Sequence, residues 1–342
     1  MTEQLFPTQT YKLPTATRSL AFSSVGDALA PQVLLCLPGL LETRVSFDAL
    51  LHTAQTTNGL RVVSLDLCGR GDSQALAKGE TYCMSQYLQD CTHFIRDVLI
   101  PQGQPAPRIS LLGTSMGGIL AMYLSQNPLL GIKAIFLNDV GLSLNWMSIY
   151  GLYGSMKVNG RMPDAQALAK QLKVSEAVVL AVQSPTHFDL PYKKDWKGMR
   201  FVQVLNGFTG ELRLVYGNES GVCLSTQVAE LQTHFPKAKV LAVAGAKHPV
   251  PFDAKTIAFL LKGLGTVAAK PQEKVAEMVW ETLPKAEQSP TQTRPAPIEI
   301  PLPDIAPILL TPSEVQTIAQ EVRHTQSGWL SWLKRQLKPK AK

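Results

Sequence analysis

At 342 residues the chain has room for one large α/β domain with an appendage, or two modest domains. Its 45% hydrophobic and 17% charged residues are the composition of a soluble globular protein, which excludes a fibrous or wholly disordered chain. Of the formal charge of +7, a net +4 lies between Pro312 and Lys342, and the rest of the chain has no basic stripe interleaved with aromatics, which argues against a nucleic-acid partner.

The five cysteines (Cys36, Cys68, Cys83, Cys91 and Cys223) are odd in number and lack C-x-x-C or Cys/His metal spacing. That pattern fits free thiols in a reducing compartment, with no disulfide framework and no metal site. The first residues, MTEQLFPTQTYKLP, have no basic region followed by an apolar run, so no secretory signal is expected. No stretch of about 18 uninterrupted apolar residues occurs, so no transmembrane helix is expected and a cytoplasmic protein is the natural reading.

In chain order, residues 8–26 alternate weakly and end at the turn Val25-Gly26-Asp27, which predicts an antiparallel hairpin opening a sheet. Val33–Leu37 is an apolar run too short for a helix and reads as a buried strand running into Pro38-Gly39-Leu40. Phe47–Ala54 reads as a helix, and Arg61–Asp66 as a second buried strand closed by the loop Leu67–Ser73. A helical pattern from Met84 to Leu99 puts Tyr87, Leu88, Cys91, Phe94, Ile95 and Val98 on one face.

The next stretch, Arg108–Asn127, organises the rest. An apolar run (Ile109, Leu111, Leu112) meets Gly113-Thr114-Ser115-Met116-Gly117, followed by a helical pattern through Ile119, Leu120, Tyr123 and Leu124. Strand, G-x-S-x-G and helix together are the context of a nucleophile elbow, with Ser115 at its apex. Strands follow at Ile132–Leu137, Leu212–Tyr216 and Val240–Val243, and a last helix at about Ala254–Leu264. Residues 142–210 interrupt the series with helical patches (Ala165–Leu172, Ser175–Val182) and no clear buried strand. An insertion placed there would form a helical lid over the C-terminal ends of the central strands. Alternating strands and helices at this spacing predict a mostly parallel sheet covered on both faces.

The loops carry a resemblance. Leu37-Pro38-Gly39-Leu40, Asp66–Ser73, Gly113–Gly118, Asn138–Gly141 and Gly245–His248 stand in the order of the α/β-hydrolases. The set is most similar to short-lid bacterial carboxylesterase-like serine hydrolases over about residues 8–265. This implies an α/β-hydrolase fold and cleavage of a carboxylic ester or thioester through an acyl-enzyme, with no metal or cofactor. C–C hydrolases and acyltransferases share that serine machinery. A non-catalytic binding or scaffold protein is the rival on the same fold.

A serine hydroxyl needs a base, and the chain order of this fold puts the histidine after the last strand, where His248 stands. The oxyanion hole would be the amides of Leu40 and Met116. Two positions depart from the pattern. Pro38 replaces the histidine usual before Gly39, and Gly221 stands where the acid usually follows the penultimate strand. Asp139, at the end of the strand beside the nucleophile strand, is the first candidate for the acid, and Glu219 is the alternative. Asp66, Asp72 and Thr114 read as structural, and His187 and Asp189 as members of a solvated loop.

Beyond Lys270, nine prolines between Pro271 and Pro312 mark an extended linker. The domain limits expected are therefore 1–270 for the hydrolase, 271–312 for the linker and 313–342 for a basic tail. In the tail Trp329, Leu330, Leu333 and Leu337 share a helical face interleaved with Lys334, Arg335 and Lys338. Such a helix lies on an anionic membrane surface, which would put the protein at the inner membrane's periphery, or docks on the body or a second copy.

Overall fold

A computed structural model describes residues 6–14, 18–100, 102–155, 164–190, 193–194 and 198–264. The linker and the basic tail lie outside these residues.

The chain order is β1 (Gln9–Lys12), β2 (Ser19–Val25), β3 (Gln32–Leu37), α1 (Asp48–Ala54), β4 (Leu60–Leu65), α2 (Met84–Phe94), β5 (Arg108–Thr114), α3 (Met116–Leu124) and β6 (Ile132–Asn138). A π-helical turn, Ile95–Leu99, extends α2. An insertion then carries β7 (Ser143–Asn145), α4 (Trp146–Ser155), α5 (Ala165–Leu172), α6 (Glu176–Ala181), β8 (Lys193–Lys194) and β9 (Gly198–Arg200). The series resumes with β10 (Glu211–Gly217), α7 (Ser225–His234), β11 (Lys239–Val243) and α8 (Ala254–Lys262).

Among the described residues eight of these strands form one sheet in the order β1-β2-β4-β3-β5-β6-β10-β11. β1 pairs antiparallel with β2, and β2 antiparallel with β4; the other pairings are parallel. The continuous apolar runs follow from this. Every residue of β3 and β4 is buried, as a parallel strand covered on both faces requires. On one face Leu34, Cys36, Val62, Leu112 and Phe136 pack with Leu50 and Leu51 of α1 and Ile257 and Leu260 of α8. The alternate residues Leu35, Leu111 and Ile135 are just as buried, so the opposite face is covered too. This is the architecture that the resemblance implies.

The insertion differs from expectation in holding three short strands, in the order β7-β9-β8, besides its helices. At two or three residues each they are too short to show the period-2 alternation by which strands are read. Their pairing depends instead on close approach: a Cβ on Gly198 would lie 2.1 Å from Leu144 O.

Register sets the site. Leu37 pairs with Gly113, Thr114 with Asn138, and Asn138 with Val215, so β3, β5, β6 and β10 end side by side. Leu40, Ser115, Asp139, Ser220 and His248 all follow strand ends at this edge, where ligands bind in open parallel sheets.

Candidate active site

Ser115 joins β5 to α3 with φ 50° and ψ −116°, a backbone conformation that costs a non-glycine residue about 1–3 kcal/mol. Its surroundings leave it no alternative. Ser115 N–H donates to Asn138 C=O at 2.9 Å, and Ser115 C=O accepts from Gly118 N–H at 2.9 Å. The helix must also approach the strands more closely than side chains allow. A Cβ on Gly113 would lie 2.2 Å from backbone atoms of Gly117 and Gly118, and one on Gly117 would lie 2.1 Å from Leu37 O. The second contact brings the start of α3 against the Leu37–Leu40 loop.

Ser115 opens into a pocket whose other lining side chains are apolar, among them Leu40, Met116, Leu144, Ile149 and Phe188. Leu40 and Met116 both line it, and among the described residues neither backbone amide donates a hydrogen bond. Two free N–H groups beside a serine hydroxyl can receive a developing oxyanion.

His248 lies in the loop after β11, and its Nδ1–H donates to Asp139 Oδ2 at 2.7 Å. A carboxylate accepts only, so the ring proton sits on Nδ1 and Nε2 is left as the basic nitrogen. Asp139 is fully buried, and both of its oxygens are satisfied. Oδ1 accepts from Gly217 N–H at 3.0 Å, and Oδ2 also accepts from the Ser220 hydroxyl at 2.6 Å. Ser220 is held in turn by Val222 N–H and Cys223 N–H at 3.0 and 3.1 Å. A φ of 57°, tolerated by Asp better than by most residues, turns Asp139 out of β6. Glu219 is exposed, and its carboxylate makes no hydrogen bond among the described residues.

The structure therefore pairs Asp139 with His248, and brings Leu40, Ser115 and Met116 to one pocket. Asn138 links the two groups. Its C=O holds Ser115 N–H, and its side chain donates to Val250 O at 2.9 Å and to Thr114 Oγ1 at 3.4 Å. Among the described residues no direct hydrogen bond joins Ser115 Oγ to His248. Such bonds tighten when substrate binds.

Asp66 and Asp72 have structural partners. Asp66 accepts from Arg44 N–H at 2.7 Å and from Asp72 N–H at 3.0 Å, and Arg44 bridges both carboxylates. All five cysteines are free thiols. No helix among the described residues is long and apolar enough to cross a membrane.

Of the two residues expected in a solvated loop, Asp189 is exposed but also holds the start of a helix, and His187 is buried. Asp189 accepts from Ser85 N–H at 2.9 Å and from the Ser85 hydroxyl, capping the start of α2. His187 is 1% exposed, with Nε2 3.0 Å from Tyr87 Oη. Spacings of 104 and 100 residues hid both contacts from pattern reading. Sequence reasoning also missed Glu42, Arg70 and Ser220, the residues around the site that contact backbone or other side chains; the one signal was an arginine and a serine in otherwise small-residue loops.

Burial, then the Arg70 charge, lower the His187 pKa to about 3. An unfolded histidine titrates near 6.5, so between these values the unfolded chain binds a proton that the folded chain refuses. Folding stability should then fall on acidification from pH 6.5, by up to about 1.4 kcal/mol per pH unit from this group. His187→Gln should flatten that slope in urea titrations at pH 7, 6 and 5. Parallel pH profiles for parent and variant would contradict the assignment.

Comparison with known proteins places the site in a family context. Residues 30–145 match the family model described as serine aminopeptidase, S33. The 3-hydroxybutyrate-oligomer hydrolase of Cupriavidus necator is 33% identical over 131 residues, covering 38% of this chain and 42% of that protein. The sn-1-specific diacylglycerol lipase ABHD11 of Mus musculus is 26% identical over 250 residues, covering 67% of this chain and 78% of that protein. A hydrolase from Pseudomonas aeruginosa PA01 superposes with a TM-score of 0.57 at 16% identity, covering 76% of this chain and 98% of that one, a likeness of fold.

Proposed function

On the premise that the chain belongs to the α/β-hydrolase superfamily, we propose that it cleaves a carboxylic ester or thioester through an acyl-enzyme on Ser115. The observation that carries this reading is the pairing of His248 with the buried Asp139, at 2.7 Å, at the same strand edge as the strained Ser115. His248 Nε2 takes the Ser115 proton as Oγ attacks the carbonyl carbon, and the ring becomes an imidazolium that Asp139 stabilises. The tetrahedral oxygen is held by the Leu40 and Met116 amides. Collapse expels the alcohol or thiol, which takes the proton from His248. Water, deprotonated by the same ring, then attacks the acyl carbon, and Ser115 Oγ leaves with that proton as the acid is released.

The pocket favours a class of acyl group. Beside Ser115 its lining side chains are apolar, so an uncharged acyl moiety enters without an unpaired buried charge. The curated relatives' names, an oligomer hydrolase and a diacylglycerol lipase, are compatible with ester cleavage.

The test is fluorophosphonate labelling followed by p-nitrophenyl esters of graded acyl length. One adduct should form, mapped to Ser115, and neutral acyl esters should outrun anionic hemiesters by about tenfold or more in kcat/KM. A protein that takes no label and turns over no ester would instead be the non-catalytic binding protein.

A further inference from the structure

An oxyanion hole depends on which way its two amides point. Met116 N–H is aimed by α3, but Leu40 N–H belongs to a loop, and that loop is held at three successive peptide groups. The Glu42 carboxylate accepts from Gly39 N–H at 2.8 Å, fixing the first. Glu42 N–H donates to Gly39 C=O at 3.3 Å, fixing the second. In a trans peptide the C=O and N–H point opposite ways, so this bond also sets the direction of Leu40 N–H. Arg70 Nε and Nη2 donate to Leu40 C=O at 3.1 and 2.9 Å, fixing the third.

Arg70 is fully buried, yet among the described residues its fork meets neutral acceptors alone. Besides Leu40 C=O these are Cys68 C=O and the Tyr87 hydroxyl, each at 3.3 Å, while the guanidinium lies 4.7 Å from the centre of the Tyr87 ring. A buried cation without a carboxylate is a cost to the fold. Behind Leu40, however, its charge favours the negative oxygen that develops during acyl transfer. The Arg70 loop is also tied to the insertion. Gly71 N–H donates to Lys173 C=O at 2.8 Å, and Ser175 N–H to Gly69 C=O at 2.7 Å. The Tyr87 hydroxyl that meets Arg70 also meets His187 Nε2, and the next residue, Phe188, lines the Ser115 pocket.

We propose that Glu42 and Arg70 are positioning residues that aim the Leu40 amide at the tetrahedral oxygen, with the Arg70 fork braced through the Tyr87 hydroxyl by His187 of the insertion. The inference rests on the serine-hydrolase reading above. It makes the segment that carries Phe188 into the acyl pocket a support of the oxyanion hole as well. Burial raises the Glu42 carboxyl pKa, against the opposing pull of the Gly39 amide and His248.

The test compares Arg70→Lys, which keeps the charge but loses the two-pronged grip, with Tyr87→Phe, Glu42→Ala and Glu42→Gln. Three readouts are needed: kcat and KM on a p-nitrophenyl ester, Ki for a trifluoromethyl ketone that adds to Ser115 as an oxyanion, and hydrogen exchange at Gly39. Arg70→Lys and Glu42→Ala should lose about 10- to 100-fold in kcat with KM nearly unchanged, and Ki should rise in proportion. Tyr87→Phe should lose about tenfold in the same pattern, and carries the Arg70 arm should Arg70→Lys fail to fold. Glu42→Gln, which retains an acceptor for Gly39, should restore most of the loss.

Parent-like rates in these variants, a rise in KM alone, or falling kcat with unchanged Ki would overturn the proposal. A parent protein that neither hydrolyses esters nor binds the ketone would fail the serine-hydrolase reading instead. The clamp is then read by exchange alone. Gly39 should exchange about tenfold faster in Glu42→Ala, and unchanged exchange would overturn it.

Discussion

Ser115→Ala should lower kcat on any ester the parent cleaves by about 10⁶-fold and abolish fluorophosphonate labelling, with the fold retained. The loss should be this large because the pocket offers no substitute: among its lining residues Ser115 alone has a hydroxyl. The fold should survive because alanine keeps the Cβ that the turn already accommodates at φ 50°. The expected thermal midpoint is therefore close to the parent's. Turnover within about tenfold of the parent rate would exclude an acyl-enzyme on this residue.

Asp139→Asn should cost about 10⁴ in kcat, or roughly 5 kcal/mol of transition-state stabilisation, whereas Glu219→Gln should cost less than about tenfold. The hydrogen bonds explain why an almost isosteric change does so much. Three donors converge on Asp139: Gly217 N–H on Oδ1, and the Ser220 hydroxyl and His248 Nδ1–H on Oδ2. An amide has one oxygen. If its NH₂ faces Ser220 and His248, it drives the imidazole to the wrong tautomer. If it faces Gly217, two buried donors confront each other at a cost of about 1–3 kcal/mol. A stability loss should therefore accompany the kinetic one, and urea midpoints will show it. Glu219 is exposed, so its amide variant meets water in either orientation. The opposite ranking of the two variants would move the acid to Glu219.

Much of the fold can be read in the chain because its signals are local. Gln32–Leu37, Leu60–Leu65 and, beyond its exposed first residue, Arg108–Thr114 are buried on both faces, and the predominance of apolar residues on both alternations announces that. The elbow is local as well: Gly113, Ser115 and Gly117 lie within five residues, and the overlap that a Cβ would create explains both glycines. The acid is not local. Gly221 signals that the usual carboxylate is missing, but the preference for Asp139 over Glu219 depends on a backbone turn at 139 and on donors from 217 and 220, about eighty residues away. Burial of His187 was illegible for the same reason, since the Tyr87 hydroxyl it meets lies on another helix. The residue types alone permit either outcome.

The place of Asp139 has a consequence for how much change this molecule tolerates. With the carboxylate on the end of β6, the turn after β10 keeps two duties, an amide at Gly217 and a hydroxyl at Ser220. Its tip is relieved of chemistry. Glu219 and Gly221 both face solvent, and a side chain built on Gly221 would touch nothing within 4 Å. These positions are natural sites for attaching a dye, a tether or a graft next to the active centre, because the side chains of Ser115, Asp139 and His248 are borne by other loops rather than by this turn.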